Sequence, residues 1–183
     1  MTIASPSATR TPKHDAVRDD LAIAGQISWF PPRPSYVVRM LLARRGYRVT
    51  AFDFSDAAVA EARRLAMADG VDIAVEQRDV FTLDRDYPGA FDGVWEYTCF
   101  CAIEPARREE YVQVLHAILR PGGLLLACFF PLREGGDGPP FPVSRADIDR
   151  ALAGRFTVVR AGAPGRSAER RRELEWLVEA RRV

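Results

Sequence analysis

The stretch RVTAFDFS, Arg48 to Ser55, decides the fold. Its first residues read as a buried strand, and that strand ends in an acid, Asp53. Ser55 can then cap a helix running through Ala-rich text to Asp69-Gly70. Strand, acid, cap and helix in that order make one half of a βαβ unit. Downstream the pattern repeats. Val71, Ile73 and Val75 alternate, giving a third strand that ends near Asp79, and Phe91 to Glu96 reads as a fourth. Pro105 suits the first turn of a helix whose apolar residues Tyr111, Val112, Leu115, Ile118 and Leu119 recur at helical spacing.

Further out, Pro121-Gly122-Gly123 reads as a turn, and LLLACFF (Leu124 to Phe130) as a central strand. Gly135 to Pro142 is a Gly/Pro loop, and Ser144 followed by Asp147 marks another helix start. Phe156 to Val159 and Leu174 to Val178 remain as a closing antiparallel hairpin. Upstream of the opening stretch, Ser35 can cap a helix through Arg45, with Gly46 at its end. Ile27 to Phe30 is a short candidate strand ended by Pro31-Pro32. Residues 1–20 are polar and without period, which predicts a flexible tail before one α/β domain over residues 21–183.

Bulk properties narrow the function. A net charge of +1 provides no general field for nucleic acid or an anionic membrane. The arginine pairs at 44–45, 63–64 and 107–108 and the run at 170–172 lie beside acids or at predicted helix ends and read as solvated faces. No apolar run approaches the roughly 20 residues that cross a bilayer. The start lacks the apolar core of a signal peptide, so export is not expected. Cys99, Cys101 and Cys128 read as reduced core residues. With only His14 and His116 to complement them, no metal site is expected. Together these features predict a cytoplasmic protein.

In parallel α/β sheets, ligands sit beyond the carboxyl ends of the strands. Three strands here end there in an acid. Asp53 can accept hydrogen bonds from both ribose hydroxyls of an adenosine cofactor, and Asp79 can accept from an adenine amino group. Glu96, with Tyr97 beside it, faces the same crevice. The competing reading is that each acid merely caps a helix or turn.

Three blocks, FDGVWEYTCFCAIEP, LRPGGLLLACFFPL and GGDGPPFPVS, resemble the thiol and halide methyltransferases, a branch of the thiopurine S-methyltransferase family. The resemblance runs from about Leu42 to Val183. It implies a seven-stranded Rossmann-like sheet, mostly parallel with a C-terminal antiparallel strand. It also implies S-adenosyl-L-methionine as cofactor, held by Asp53 at the ribose and by Asp79 and the Val80 backbone at the adenine. Glu96 and Tyr97 would approach the methionine end, and the loop around Phe141 would help cover a small-molecule acceptor. No catalytic base is assigned; Tyr97 is the candidate for orienting the methyl donor. The resemblance is read as that of a monomer that engages neither nucleic acid nor membrane.

One departure stands out. The family's glycine-rich turn of the type Pro-Gly-Cys-Gly-x-Gly falls on Pro31 to Tyr36, with Pro32, Pro34 and Tyr36 where its glycines stand. Proline fixes φ and offers no N–H, so the chain is expected to bind the cofactor weakly. Two explanations fit: a degenerate relative, or a misread N-terminal frame. Lys13 is the only lysine among 26 basic residues, a bias toward GC-rich coding in which alternate frames stay open. Beside a methyltransferase of a thiol, thiopurine or halide-like acceptor, two alternatives remain: a catalytically impaired binding or regulatory module on the same fold, and a nicotinamide-dependent oxidoreductase.

Overall fold

The computed structural model describes residues 20–24 and 34–183, with side chains from Val38 onward. The expected Ile27–Phe30 strand, Pro31, Pro32 and residues 1–19 of the expected tail lie outside the described residues. The first described strand, β1, is Asp20–Ala24, beginning on the residue where the tail was expected to end. Helix α1, Pro34–Arg44, follows. It begins one residue before the expected cap: Pro34 occupies the first turn, where its missing N–H has no intrahelical role, and Ser35 lies inside the helix.

The opening stretch folds as read. Strand β2, Arg48–Asp53, leads to helix α2, Asp56–Ala68, with Ser55 as its cap accepting from the Ala58 N–H. Strand β3 is the shorter Ala74–Gln77, followed by a 3₁₀ turn at Val80–Thr82 and the single helical turn α3, Leu83–Asp86. Strand β4 is Phe91–Tyr97, helix α4 Arg108–Ile118 and strand β5 Leu119–Phe129. Helix α5, Arg145–Leu152, begins with a complete capping box between Ser144 and Asp147. Strands β6, Phe156–Gly162, and β7, Trp176–Arg182, pair antiparallel, as the sequence predicts.

The strands form one mixed seven-stranded sheet in the order β3-β2-β1-β4-β5-β7-β6. The first five are parallel to their neighbours, and β7 runs antiparallel to both β5 and β6. Pro121-Gly122-Gly123 is not a free turn. Leu119 already pairs with Phe91, and the register resumes at Gly93 with Leu124, so the segment is a bulge within β5. A Cβ on Gly123 would lie 2.8 Å from the Arg120 carbonyl, so only glycine fits that bulge. The main core lies between the sheet and α4 and α5, where Tyr111, Leu115, Ile118, Leu119, Leu125 and Ile148 are almost wholly buried.

Candidate functional site

The site follows from register. Ala24 at the end of β1 lies level with Phe52 on one side and Glu96 on the other, so Asp53 and Tyr97 emerge on the same edge. Asp53 in turn lies level with Gln77, two residues before Asp79. The carboxyl edge thus gathers Asp53, Asp79, Val80, Glu96 and Tyr97, as parallel strands require.

Both acids of the β2–β3 side also shape their own turns. Asp53 is buried, and its Oδ1 accepts from the Ser55 N–H at 2.9 Å, pinning the residue that caps α2. The Arg78 N–H donates to the Asp53 carbonyl at 3.0 Å, tying β3's exit to β2's end. Asp79 is exposed and accepts from the Phe81 N–H at 3.0 Å, starting the 3₁₀ turn. Turn-building and edge placement therefore coexist in the same carboxylates.

A cavity of about 380 Å³ opens beside them, with Phe54, Val80, Phe81, Cys99, Ile103 and Arg107 among its walls. Phe54 is 68% exposed, an aromatic ring left in solvent directly after Asp53. The Arg107 guanidinium lies 3.6 Å from the centroid of the Phe81 ring and is held there by two bonds to Glu110 at 2.9 and 3.0 Å. Of these walls sequence reading placed Val80 at the site and missed the rest, although an aromatic after a strand-ending acid could have flagged Phe54. A larger cavity of about 560 Å³ lies among Gly93, Trp95, Leu124 and Leu126, toward the amino ends of β4 and β5 and away from the acids.

Glu96 and Tyr97 alternate along β4 and so point to opposite faces. Glu96 is 1% exposed, and its Oε1 accepts from the Cys99 and Phe100 N–H groups, both at 2.9 Å. Burial pushes its carboxyl up to about 7, against the two N–H contacts that favour the charged form. The Tyr97 hydroxyl accepts from Arg171 and donates to Glu175 at 3.3 Å, and Ser167 donates to the other Glu175 oxygen at 2.6 Å. Burial pushes the Tyr97 phenol well up, so it stays protonated. Arg171 also lies 4.3 Å from the centroid of the Phe130 ring. This network joins residues 74 and 78 positions apart, and nothing local in the sequence announces it.

The arginine clusters are not all solvated faces, as the sequence suggested. Arg108 is 4% exposed, 3.9 Å from Asp147 and packed over the Phe100 ring. Cys101 and Cys128 are buried, Cys99 is partly so, and all three are free. Burial pushes the Cys101 and Cys128 thiols up to about 12, which leaves them poor nucleophiles. Cys99 precedes and Cys101 lies within a 3₁₀ turn, Phe100–Ala102, rather than a strand. The Gly/Pro loop is bound to that turn, because the Phe141 N–H donates to the Cys101 carbonyl at 2.7 Å. A Cβ on Gly138 would lie 2.4 Å from the Phe141 ring, so that close approach requires glycine.

Known proteins give this geometry a family. The chain is similar to a probable thiol methyltransferase 2 of Arabidopsis thaliana, 40% identical over 62 residues, covering 34% of this chain and 27% of that one. It is also similar to a thiopurine S-methyltransferase of Shewanella loihica, 29% identical over 114 residues, covering 59% and 52%. The chain thus spans between about a quarter and about half the length of these relatives. Among solved structures, a S-adenosylmethionine-dependent methyltransferase of Methanosarcina mazei superposes with a TM-score of 0.71 at 15% identity, covering 90% of this chain and 92% of that one. The 1,6-didemethyltoxoflavin-N1-methyltransferase of Burkholderia thailandensis, solved with S-adenosylhomocysteine, gives 0.65 at 23% identity, covering 90% and 70%. These likenesses show the Rossmann-like α/β fold. The family model described as thiopurine S-methyltransferase matches residues 37–182, and the chain belongs to that family.

Proposed function

We propose that the chain is an S-adenosyl-L-methionine-dependent methyltransferase acting on a small soft nucleophile, a thiol, thiopurine or halide-like anion. One observation carries the reading: in a chain of this family, an open cavity at the carboxyl edge has walls, Phe54 and Val80, that directly follow the two acids Asp53 and Asp79. An apolar slot flanked by acceptors suits the purine and ribose of an adenosine group. On this reading Asp53 holds the ribose, and Asp79 and the Val80 backbone contact the adenine. The methionine end lies at the exit of β4, shaped by Glu96 through its turn on one face and by Tyr97 on the other.

The cofactor, when bound, supplies a methyl group already activated on a sulfonium. The chain's own residues then need only bind, orient and exclude water, and holding two reactants in line can contribute ~7–11 kcal/mol. No side chain is assigned as a base, and the raised phenol of Tyr97 fits an orienting hydrogen-bonding role. The Phe141 loop, tied to the Cys101 carbonyl, covers the acceptor side. We place the protein in the cytoplasm as a monomer with a small-molecule acceptor; among the described residues no helix is long and apolar enough to cross a membrane. The test is transfer of labelled methyl from the cofactor to a panel of small thiols, thiocyanate and iodide. Transfer to at least one supports the reading, and a folded chain that transfers to none and binds no cofactor overturns it.

A further inference from the structure

Glu96 carries an arrangement that charge alone does not explain. Its Oε1 takes both N–H groups of the turn that follows β4, while Oε2 is buried with no hydrogen-bond partner among the described residues. The turn so held is strained, since Thr98 takes φ 65 despite its branched Cβ. The turn matters to the cavity, because Cys99 and Ala102 line it.

The groups close enough to feel Glu96 come from three elements. They are Cys99 and Cys101 of the turn, Tyr111 of α4 and Cys128 of β5, with Asp53 of β2 facing Cys99. Burial keeps the thiols and the Tyr111 phenol protonated. Two guanidiniums lie nearby, Arg108 beside Cys101 and Arg171 beside Cys101 and Cys128, but they pair with Asp147 and Glu175 rather than with Glu96. An anion at Glu96 would place a bare carboxylate oxygen in a buried pocket where no cation among the described residues pairs with it, a costly arrangement. A proton on Oε2 removes that cost and leaves Oε1 free to accept both N–H bonds.

We propose that Glu96 serves the cofactor site as a neutral carboxylic acid, a positioning residue that fixes the Thr98–Ala102 turn rather than an anionic ligand of the cofactor. This rests on the proposed cofactor site. The charge state and the cofactor role can nevertheless be tested apart.

The experiment compares the full chain with Glu96→Gln and Glu96→Ala. Infrared spectroscopy needs no ligand: the parent at neutral pH or just below should show a buried protonated carboxylic C=O band that is missing from Glu96→Gln. Titration with S-adenosylhomocysteine reads the positioning role. Glutamine keeps the acceptor oxygen and should hold affinity within about threefold of the parent near pH 6, whereas alanine should lose about tenfold or more. The parent should weaken as pH rises through 7, and Glu96→Gln should not. If the acid band is absent, or if glutamine loses as much affinity as alanine at every pH, Glu96 acts as a charge and the proposal fails. If the band is present and no variant binds, the cofactor reading fails while the neutral acid stands.

Discussion

Substituting Asp53 separates the two roles its carboxylate combines. Its Oδ1 accepts from the Ser55 N–H at 2.9 Å and so steadies the cap of α2, while its place at the end of β2 offers it to a ribose. Asp53→Asn keeps one acceptor oxygen for Ser55 and removes the charge and the second acceptor. A charge-assisted hydrogen bond carries ~1.5–3 kcal/mol, so losing one should weaken S-adenosylhomocysteine binding by about 10- to 150-fold. Folding stability should change by less than ~0.5 kcal/mol. Asp53→Ala should lose the ligand and the cap support together, with a further ~0.5–1.5 kcal/mol of stability gone. The assays are cofactor titration and urea unfolding on the same preparations. If Asp53→Asn binds like the parent, the carboxylate is a turn-builder only and the ribose assignment is wrong.

Three further outcomes follow from burial and capping. Because the Glu96 carboxyl is raised from 4.5 to about 7, the folded state holds that proton more tightly than the unfolded chain. Its contribution is complete below the unfolded value and is lost as pH rises through 7, so the parent should lose ~3 kcal/mol relative to Glu96→Gln between about pH 4.5 and 7 in urea unfolding. Ser144→Ala breaks the capping box of α5 and should cost ~1 kcal/mol, with Ser144→Thr recovering most of it. Ile118→Ala opens a cavity in the main core and should cost ~2–5 kcal/mol; a loss under about 1 kcal/mol would mean the core there closes over the gap.

The sequence was legible where local signals and tertiary demands agree. RVTAFDFS and the α5 capping box need only period and cap chemistry and fold as read. The closing hairpin pairs antiparallel as read, but with its second strand displaced from Leu174–Val178 to Trp176–Arg182. Strand β1 escaped because DLAIA is five residues that start at the edge of the polar N-terminal stretch; its identity comes from pairing with β2 and β4, which no local window contains. Pro121-Gly122-Gly123 reads locally as a turn, and only pairing with β4 makes it a bulge. The acids of the site were visible as strand ends. Their company was not: Arg171 and Glu175 reach Tyr97 from the far end of the chain, and Arg108 is buried by packing of α4 against Phe100.

The central claim is that the carboxyl edge at Asp53 holds an S-adenosyl cofactor. Calorimetric titration of the purified chain and its Asp53→Ala variant with S-adenosylhomocysteine tests it most directly. With Pro32, Pro34 and Tyr36 at the family's glycine positions, the account predicts a saturable one-to-one isotherm, weaker than about micromolar. It also predicts that the isotherm disappears in the Asp53→Ala variant. A folded chain that gives no saturable binding, or one whose affinity survives loss of Asp53, would contradict it.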